Sequence, residues 1–476
     1  MAESSKTSWD RGQRLRNGIV FLFLTAAMGG CASHSQSLRE VREALTADNP
    51  SQALVVFREK KEKPNDLLYL LERGYLEMAA GEYAASNATL EAAELRAEDL
   101  YTKSVTGELA ALVTSDNVLP YRSYPYELAM IQYYRAFNYL ALGLNDDALV
   151  EARKANQLLV ELADEKEGKN SYQNDAFLQY VTAMLYENAG ETNDATVSYR
   201  NAYSVYADYE ARYGVGPPPE LKADLYRSLL ALGADDEAAV LAADDEEIEG
   251  KALEGRDANV ALFVETGFVP YLEPVDIILP IFDFKEDEEY RNCDGCELAY
   301  ANVLFTRYGN NIYAYSGSGL TLDHVLRFAF PHLVDHPSSV AAAEVRGPDG
   351  QAVNVEPAEP LDAIARREFD DRLPKILLKT IGRALIKEFA RTRAKKSSDA
   401  LGALINIANV ATEQADTRTW LFLPRMISMV KLTLPPGPHH LDVIFYDGAG
   451  AETDRKTVAV DVKQGEMTFS RVRSYR

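Results

Sequence analysis

The sequence predicts an α+β multidomain protein: an N-terminal array of helical hairpins, then a mixed α/β domain that ends in an antiparallel β-meander. Three observations predict it. Apolar helical segments break at Gly81, Gly143, Gly190 and Gly233, and each resumes with small residues at fixed offsets. From Met426 onward, runs of apolar and β-branched residues alternate between turn signals. The charge also divides, with 21 basic and 41 acidic residues over 31–258 against 25 and 30 over 259–476. At 476 residues the chain is too long for one core, and 47% hydrophobic with 26% charged residues excludes a disordered or fibrous class. A net charge of −23 argues against a nucleic-acid partner, because phosphate repels such a surface.

Residues 1–30 read as an address. Arg11, Arg14 and Arg16 precede the apolar run Ile19 to Leu24, which is far shorter than the ~20 residues of a spanning helix, so the segment has the form of a secretory signal. Met28-Gly29-Gly30-Cys31-Ala32-Ser33 then resembles a bacterial lipobox, with Met28 where leucine is usual. That resemblance implies acylation of Cys31, a mature N-terminus there, and, with Ala32 as second residue, export to the outer membrane. A membrane anchor on the periplasmic face is the expectation, lipid-borne and not spanning. The domains that follow are 31–257 and 258–476.

In 31–257, the position five past each turn glycine holds Ser86, Ala148, Ala195 or Ala238. Twelve past stand Ala93, Ala155, Ala202 and Asp245, and seven before stand Gly74, Ala136, Ala183 and Tyr226. These offsets resemble the tetratricopeptide repeat, in which small residues let paired helices approach and the glycine ends the first helix in a left-handed conformation. The fourth copy departs at two of the three positions. Pro120 and Pro125 mark one insertion, and Gly214-Val215-Gly216-Pro217-Pro218-Pro219 marks a break between helices. A repeat stack of this type lines its concave face with the first helix of each pair. That places Tyr75, Met78, Tyr133, Phe137, Tyr180 and Met184 there as candidate partner-binding residues. Residues 66–213 hold 18 of the 27 tyrosines, a density that suits recognition, although each ring singly also fits helix-on-helix packing. The acidic run from Asp244 to Asp257 reads as a solvated connection.

In 258–476, Pro270, Pro274 and Pro280 predict edge strands and loops over Val260 to Phe284. Gly347-Pro348-Asp349-Gly350 predicts a hairpin within Val340 to Val355. The meander is assigned to Met426–Leu434, His440–Tyr446, Lys456–Val462 and Met467–Arg473. Between them, Leu361 to Thr412 predicts helix, with an apolar stripe of Phe369, Leu373, Leu377, Ile381 and Leu385. Residues 366–396 carry 11 basic and 4 acidic residues, a strip suited to anionic lipid, an acidic wall polymer, the chain's own acidic half, or plain solvent. Cys293 and Cys296 leave an even pair once Cys31 is acylated. A small structural disulfide loop is preferred over a thioredoxin-type site, which wants a βαβ setting, and over zinc with His332 and His336, whose spacing matches no common module. No phosphate loop, His-Glu-x-x-His or Gly-x-Ser-x-Gly is present; Ser316-Gly317-Ser318-Gly319 misses the last by one position. No catalytic residue, metal or cofactor is nominated.

Tyr126-Glu127-Leu128, Tyr133 to Leu140, Glu151 to Gln157, Asn188 to Tyr203 and Ala415 to Trp420 together resemble a family of bacterial outer-membrane lipoproteins with tetratricopeptide-like N-terminal halves and no established activity. The resemblance implies a cell-envelope role, since such proteins are sometimes associated with lipoproteins that activate penicillin-binding proteins. The expected function is a lipid-anchored periplasmic scaffold binding an envelope protein or peptide. The rivals are an envelope hydrolase with unassigned carboxylates and an accessory of secretion or polymer export.

Overall fold

The computed structural model describes residues 33–60, 66–102, 119–164, 174–243, 245–257, 259–283, 303–308, 311–316, 321–395 and 414–476. Cys31 and the signal-like segment, Cys293 and Cys296, and residues 396–412 of the expected basic helix lie outside them.

Helices fill the first half. Short α1 (His34–Ser37), α2 (Arg39–Thr46) and α3 (Pro50–Arg58) precede four pairs. These are α4 (Leu67–Ala79) with α5 (Tyr83–Thr102), α6 (Pro125–Ala141) with α7 (Asn145–Asp164), α8 (Ala176–Asn188) with α9 (Thr192–Tyr213), and α10 (Pro219–Ala231) with α11 (Asp235–Ala242). The turn glycines Gly81, Gly143, Gly190 and Gly233 stand at φ +81°, +73°, +75° and +71°. At Gly143 its own N–H donates to the Leu140 carbonyl at 3.0 Å and Leu144 N–H donates to Tyr139 at 2.9 Å, and the same closure recurs at the other three. This is the Schellman ending, whose left-handed residue costs an L side chain roughly 1–2 kcal/mol.

The small positions do what the repeat requires. Ser86, Ala148, Ala195 and Ala238 are buried between paired helices. At Gly74 a Cβ would stand 2.6 Å from Leu90 Cδ2, and Ser86 Oγ donates to the Gly74 carbonyl at 2.7 Å. The fourth pair is cut short: α11 ends at Ala242, before Asp245, so the misfit offset reflects a missing turn of helix.

Two helical features escaped the glycine search. The α2–α3 turn uses Asp48 at φ 59°, and Asn49 then caps α3 by accepting from Gln52 N–H at 3.1 Å. The acidic run read as a solvated connection is in part helix α12 (Ile248–Asp257), which packs on α10 with Ile248 and Ala252 buried.

The second half holds β1 (Val260–Thr266), β2 (Tyr271–Asp283), β3 (Val303–Tyr308), β4 (Asn311–Ser316), β5 (Thr321–Val334), β6 (Ala342–Arg346), β7 (Ala352–Asn354), β8 (Glu356–Glu359), α13 (Leu361–Lys395), β9 (Met426–Leu432), β10 (Gly437–Tyr446), β11 (Glu452–Val462) and β12 (Thr468–Ser474). They form three sheets, ordered β12-β1-β9-β8, β11-β10-β6-β7 and β3-β4-β2-β5. The first two face each other, Val260, Leu262, Val264 and Val430 packing on Val345, Leu441, Val443, Phe445, Val460 and Val462. The other face of the first sheet, with Ala261, Phe263, Ile427 and Met429, joins the helical core without a break. One sheet is therefore the middle layer between a second sheet and the helical array.

That layering overturns two expectations. β1 is no edge strand: period-two alternation sends successive residues to two different apolar layers, so all seven are buried. The meander is also corrected. Its four strands exist, but only β10 and β11 pair as a hairpin. β9 lies antiparallel to β1, and β12 returns parallel to β1, flanking it on the other side. Turn chemistry marks strand ends but does not say which sheet a strand joins. The β6–β7 hairpin forms as expected, with Gly350 at φ +77°.

The expected stripe on α13 is also corrected. Phe369 is buried, but Ile381 and Leu385 are exposed, and the buried face passes instead through Thr380, Arg383, Ala384 and Arg391. Steps of four residues drift about 40° each on a helix of 3.6 residues per turn, so a stripe read at strict i,i+4 spacing winds off the packed side within three steps.

Near the base of the β2–β5 ribbon, His336 accepts a hydrogen bond from Arg42 Nη1 at 2.9 Å and its ring centroid lies 4.4 Å from that of Tyr271. Burial, and secondly the Arg42 cation, pull its pKa from 6.5 down to about 4. The unfolded chain binds this proton more readily than the folded one. The stabilisation is therefore complete above pH 6.5 and is lost as pH falls toward 4, amounting to about 3 kcal/mol. Urea unfolding between pH 7 and pH 4 is expected to show a stability loss that His336→Gln largely removes; equal losses would contradict this.

Candidate functional site

The face predicted to receive a partner is the most elaborate surface in the molecule. Helices α4, α6 and α8, the first of their pairs, carry the candidate residues of this face. Tyr75, Met78, Tyr133, Phe137, Tyr180 and Met184 all lie in it, and all are buried. Their role as an open recognition surface is corrected: the chain's own middle sheet and residues 419–423 occupy the groove. Phe263 of β1 enters it edge-on, with ring centroids 5.0 Å from Phe137, 5.9 Å from Phe177 and 6.4 Å from Tyr133. Trp420 meets Tyr134 at 6.0 Å, and Phe422 stacks on Tyr75 at 6.0 Å.

Polar groups set the register of this seam. Glu265, fully buried on β1, receives Tyr133 OH at 3.3 Å, Arg471 Nη1 at 3.0 Å and Arg473 Nη1 at 3.4 Å. Both arginines come from β12, whose parallel pairing sets Arg471 opposite Phe263 and Arg473 opposite Glu265. Arg473 also donates to the Gly267 carbonyl at 2.7 Å and lies over the rings of Tyr75 and Tyr475. Burial opposes the Arg471 cation, yet Glu265 and the surrounding tyrosines hold its pKa above the ordinary value. Burial, reinforced by Glu265, drives the Tyr133 and Tyr134 hydroxyls far above theirs, so both stay protonated, and Tyr133 is the one that donates to Glu265.

Two further contacts flank this cluster. On the α6 side, Glu127 accepts from Trp420 N–H at 2.9 Å, Tyr121 OH at 2.5 Å and Tyr124 N–H at 2.9 Å, while burial raises its pKa. On the α10 side, Asp224 accepts from Tyr180 OH at 2.6 Å and from the buried Lys431 ammonium of β9. Tyr206 OH reaches the Ala358 carbonyl at 3.1 Å, and Asn188 accepts from Met467 N–H at 2.7 Å.

Sequence reasoning found the helical side of this face and missed the strand side. Glu265, Lys431, Arg471 and Arg473 were not nominated, although a single acid ending the apolar run Val260 to Val264 and an Arg-Val-Arg alternation were visible signals. His332 and His336 do not converge on a metal: His336 is taken up by Arg42, and His332 is exposed. Among the described residues no group of three or more His, Cys, Asp or Glu is placed to hold a metal ion, and no helix is long and apolar enough to cross a membrane.

No protein-family model matches the sequence, and no curated protein matches it. Among solved structures, the chain is similar to the nearly identical TPR-like repeats of a Podosopora anserina kinesin light chain. In a single-substitution variant of those repeats the match has 17% identity, 47% of this chain, 97% of that chain and a TM-score of 0.29. In a second structure the values are 16%, 48%, 98% and 0.29. MamA matches at 15% identity over 45% of this chain and 93% of that chain, with a TM-score of 0.26. At such TM-scores the likeness carries no argument. That the helical half is TPR-like rests on the four Schellman turns and the buried small positions beside them.

Proposed function

We propose that this chain is a protein-interaction scaffold, anchored by a lipid on Cys31 to the periplasmic face of the outer membrane, whose envelope partner docks on the outer ridge of the helical array. One observation carries the reading. The inner face is already filled, whereas the residue seven past the turn glycine in three successive pairs is an exposed valine: Val150 at 43%, Val197 at 44% and Val240 at 76%. Equivalent positions in stacked repeats fall in a row, so these three make an apolar line along the array. Leu142, Leu144, Leu230 and Leu232, exposed beside Gly143 and Gly233, widen it at the turn edge. Isolated exposed valines are ordinary; a row at one repeat offset is what a docking surface supplies.

The test is crosslinked capture from envelopes of cells making the parent chain or the triple variant Val150→Glu, Val197→Glu, Val240→Glu. All three sites face water, so the helical circular dichroism should not change. A partner recovered by the parent and reduced tenfold or more in the variant is the expected result. Equal recovery would contradict the ridge. Cys31→Ser should separately shift the chain from the membrane to the soluble fraction.

A further inference from the structure

A second exposed apolar surface lies on α13 and differs in its charge. Leu378, Ile381, Leu385, Ile386 and Phe389 are exposed, Leu378 at 72%, Leu385 at 65% and Phe389 at 68%. At 100° per residue these five, with Gly382, fall within one arc of about 140°. The opposite side of the same turns is buried at Thr380, Arg383, Ala384 and Arg391, so the helix is held by one flank and shows its apolar arc outward. On the same wheel Lys379 lies just past the Ile386 edge of the arc, and Lys375 and Arg393 fall inside that edge in the turns before and after.

We propose that this face of α13 docks on an anionic membrane surface, lying in the plane of the headgroups. The charge identifies the occupant. The chain as a whole carries −23, whereas 366–396 carries 11 basic against 4 acidic residues. A chain so acidic is repelled by anionic lipid except where it is locally basic, and here the cations border side chains able to enter the acyl boundary. A second copy of the chain would bring the same cations against each other across the seam. An acidic membrane neutralises them, at about 1 kcal/mol for each Lys or Arg near the surface.

The experiment uses the full chain carrying Cys31→Ser, mixed with vesicles of phosphatidylcholine alone or with phosphatidylglycerol. Sedimentation is read together with amide exchange over residues 378–389. Binding to the mixed vesicles, slowed exchange in that stretch, and a drop of about tenfold or more in Leu378→Glu, Leu385→Glu, Phe389→Glu are expected. Unchanged circular dichroism of the variant shows that its fold survives. Failure to bind mixed vesicles, binding indifferent to the variant, or protection of 378–389 arising instead from a concentration-dependent dimer would each overturn the proposal. Failure of the anchoring reading would show elsewhere, as a parent chain extracted from membranes as easily as Cys31→Ser.

Discussion

Glu265→Ala is expected to lower the unfolding free energy by about 3–5 kcal/mol, because it leaves the buried Arg473 and the partly buried Arg471 beside β1 with their carboxylate gone. The loss comes from stranding charge, not from the worth of the pair. A chain that also carries Arg471→Met should therefore be less damaged than the sum of the two single changes, since one of the stranded cations is removed. A double-mutant cycle by urea unfolding reads this directly. Additive losses would mean that Glu265 and Arg471 do not share one site.

Phe263→Ala is expected to cost about 3–5 kcal/mol by a different route. Its ring fills the space between Phe137, Phe177 and Tyr133, which sit on two separate helical pairs, so the gap can close only if those pairs shift toward each other. Exposed apolar sites are the contrast: Val240→Ala should change stability by less than about 0.5 kcal/mol. Thermal unfolding of the two variants side by side checks the difference. A small loss for Phe263→Ala would mean that the groove is not packed by β1.

The helical half was legible because its signals are local. A left-handed glycine and a small residue a fixed distance on act within one hairpin, and four such hairpins were found from spacing alone. Asp48 was missed because it performs the same turn without being glycine. The strand half was legible only in its elements. Each strand from Met426 onward was placed, but the partner of each is set by contacts from beyond its own turns: β12 pairs with β1, some two hundred residues earlier. The inner face was found for the same local reason and misassigned for the same distant one. Aromatic density marks a surface to be covered, and Tyr133 or Tyr180 says nothing about whether the cover is a partner or the chain itself.

Trp420 makes the most direct measurement possible. It lies fully buried in the seam, between α6 and the middle sheet, while far-ultraviolet circular dichroism follows the helical array. If the array and the sheet fold as one unit around Glu265 and Phe263, the two signals should unfold at the same urea concentration, and Glu265→Ala should move both together. Trp420 fluorescence changing at lower urea while the helical signal stays intact would contradict it, showing a groove that opens on its own and is free for another occupant.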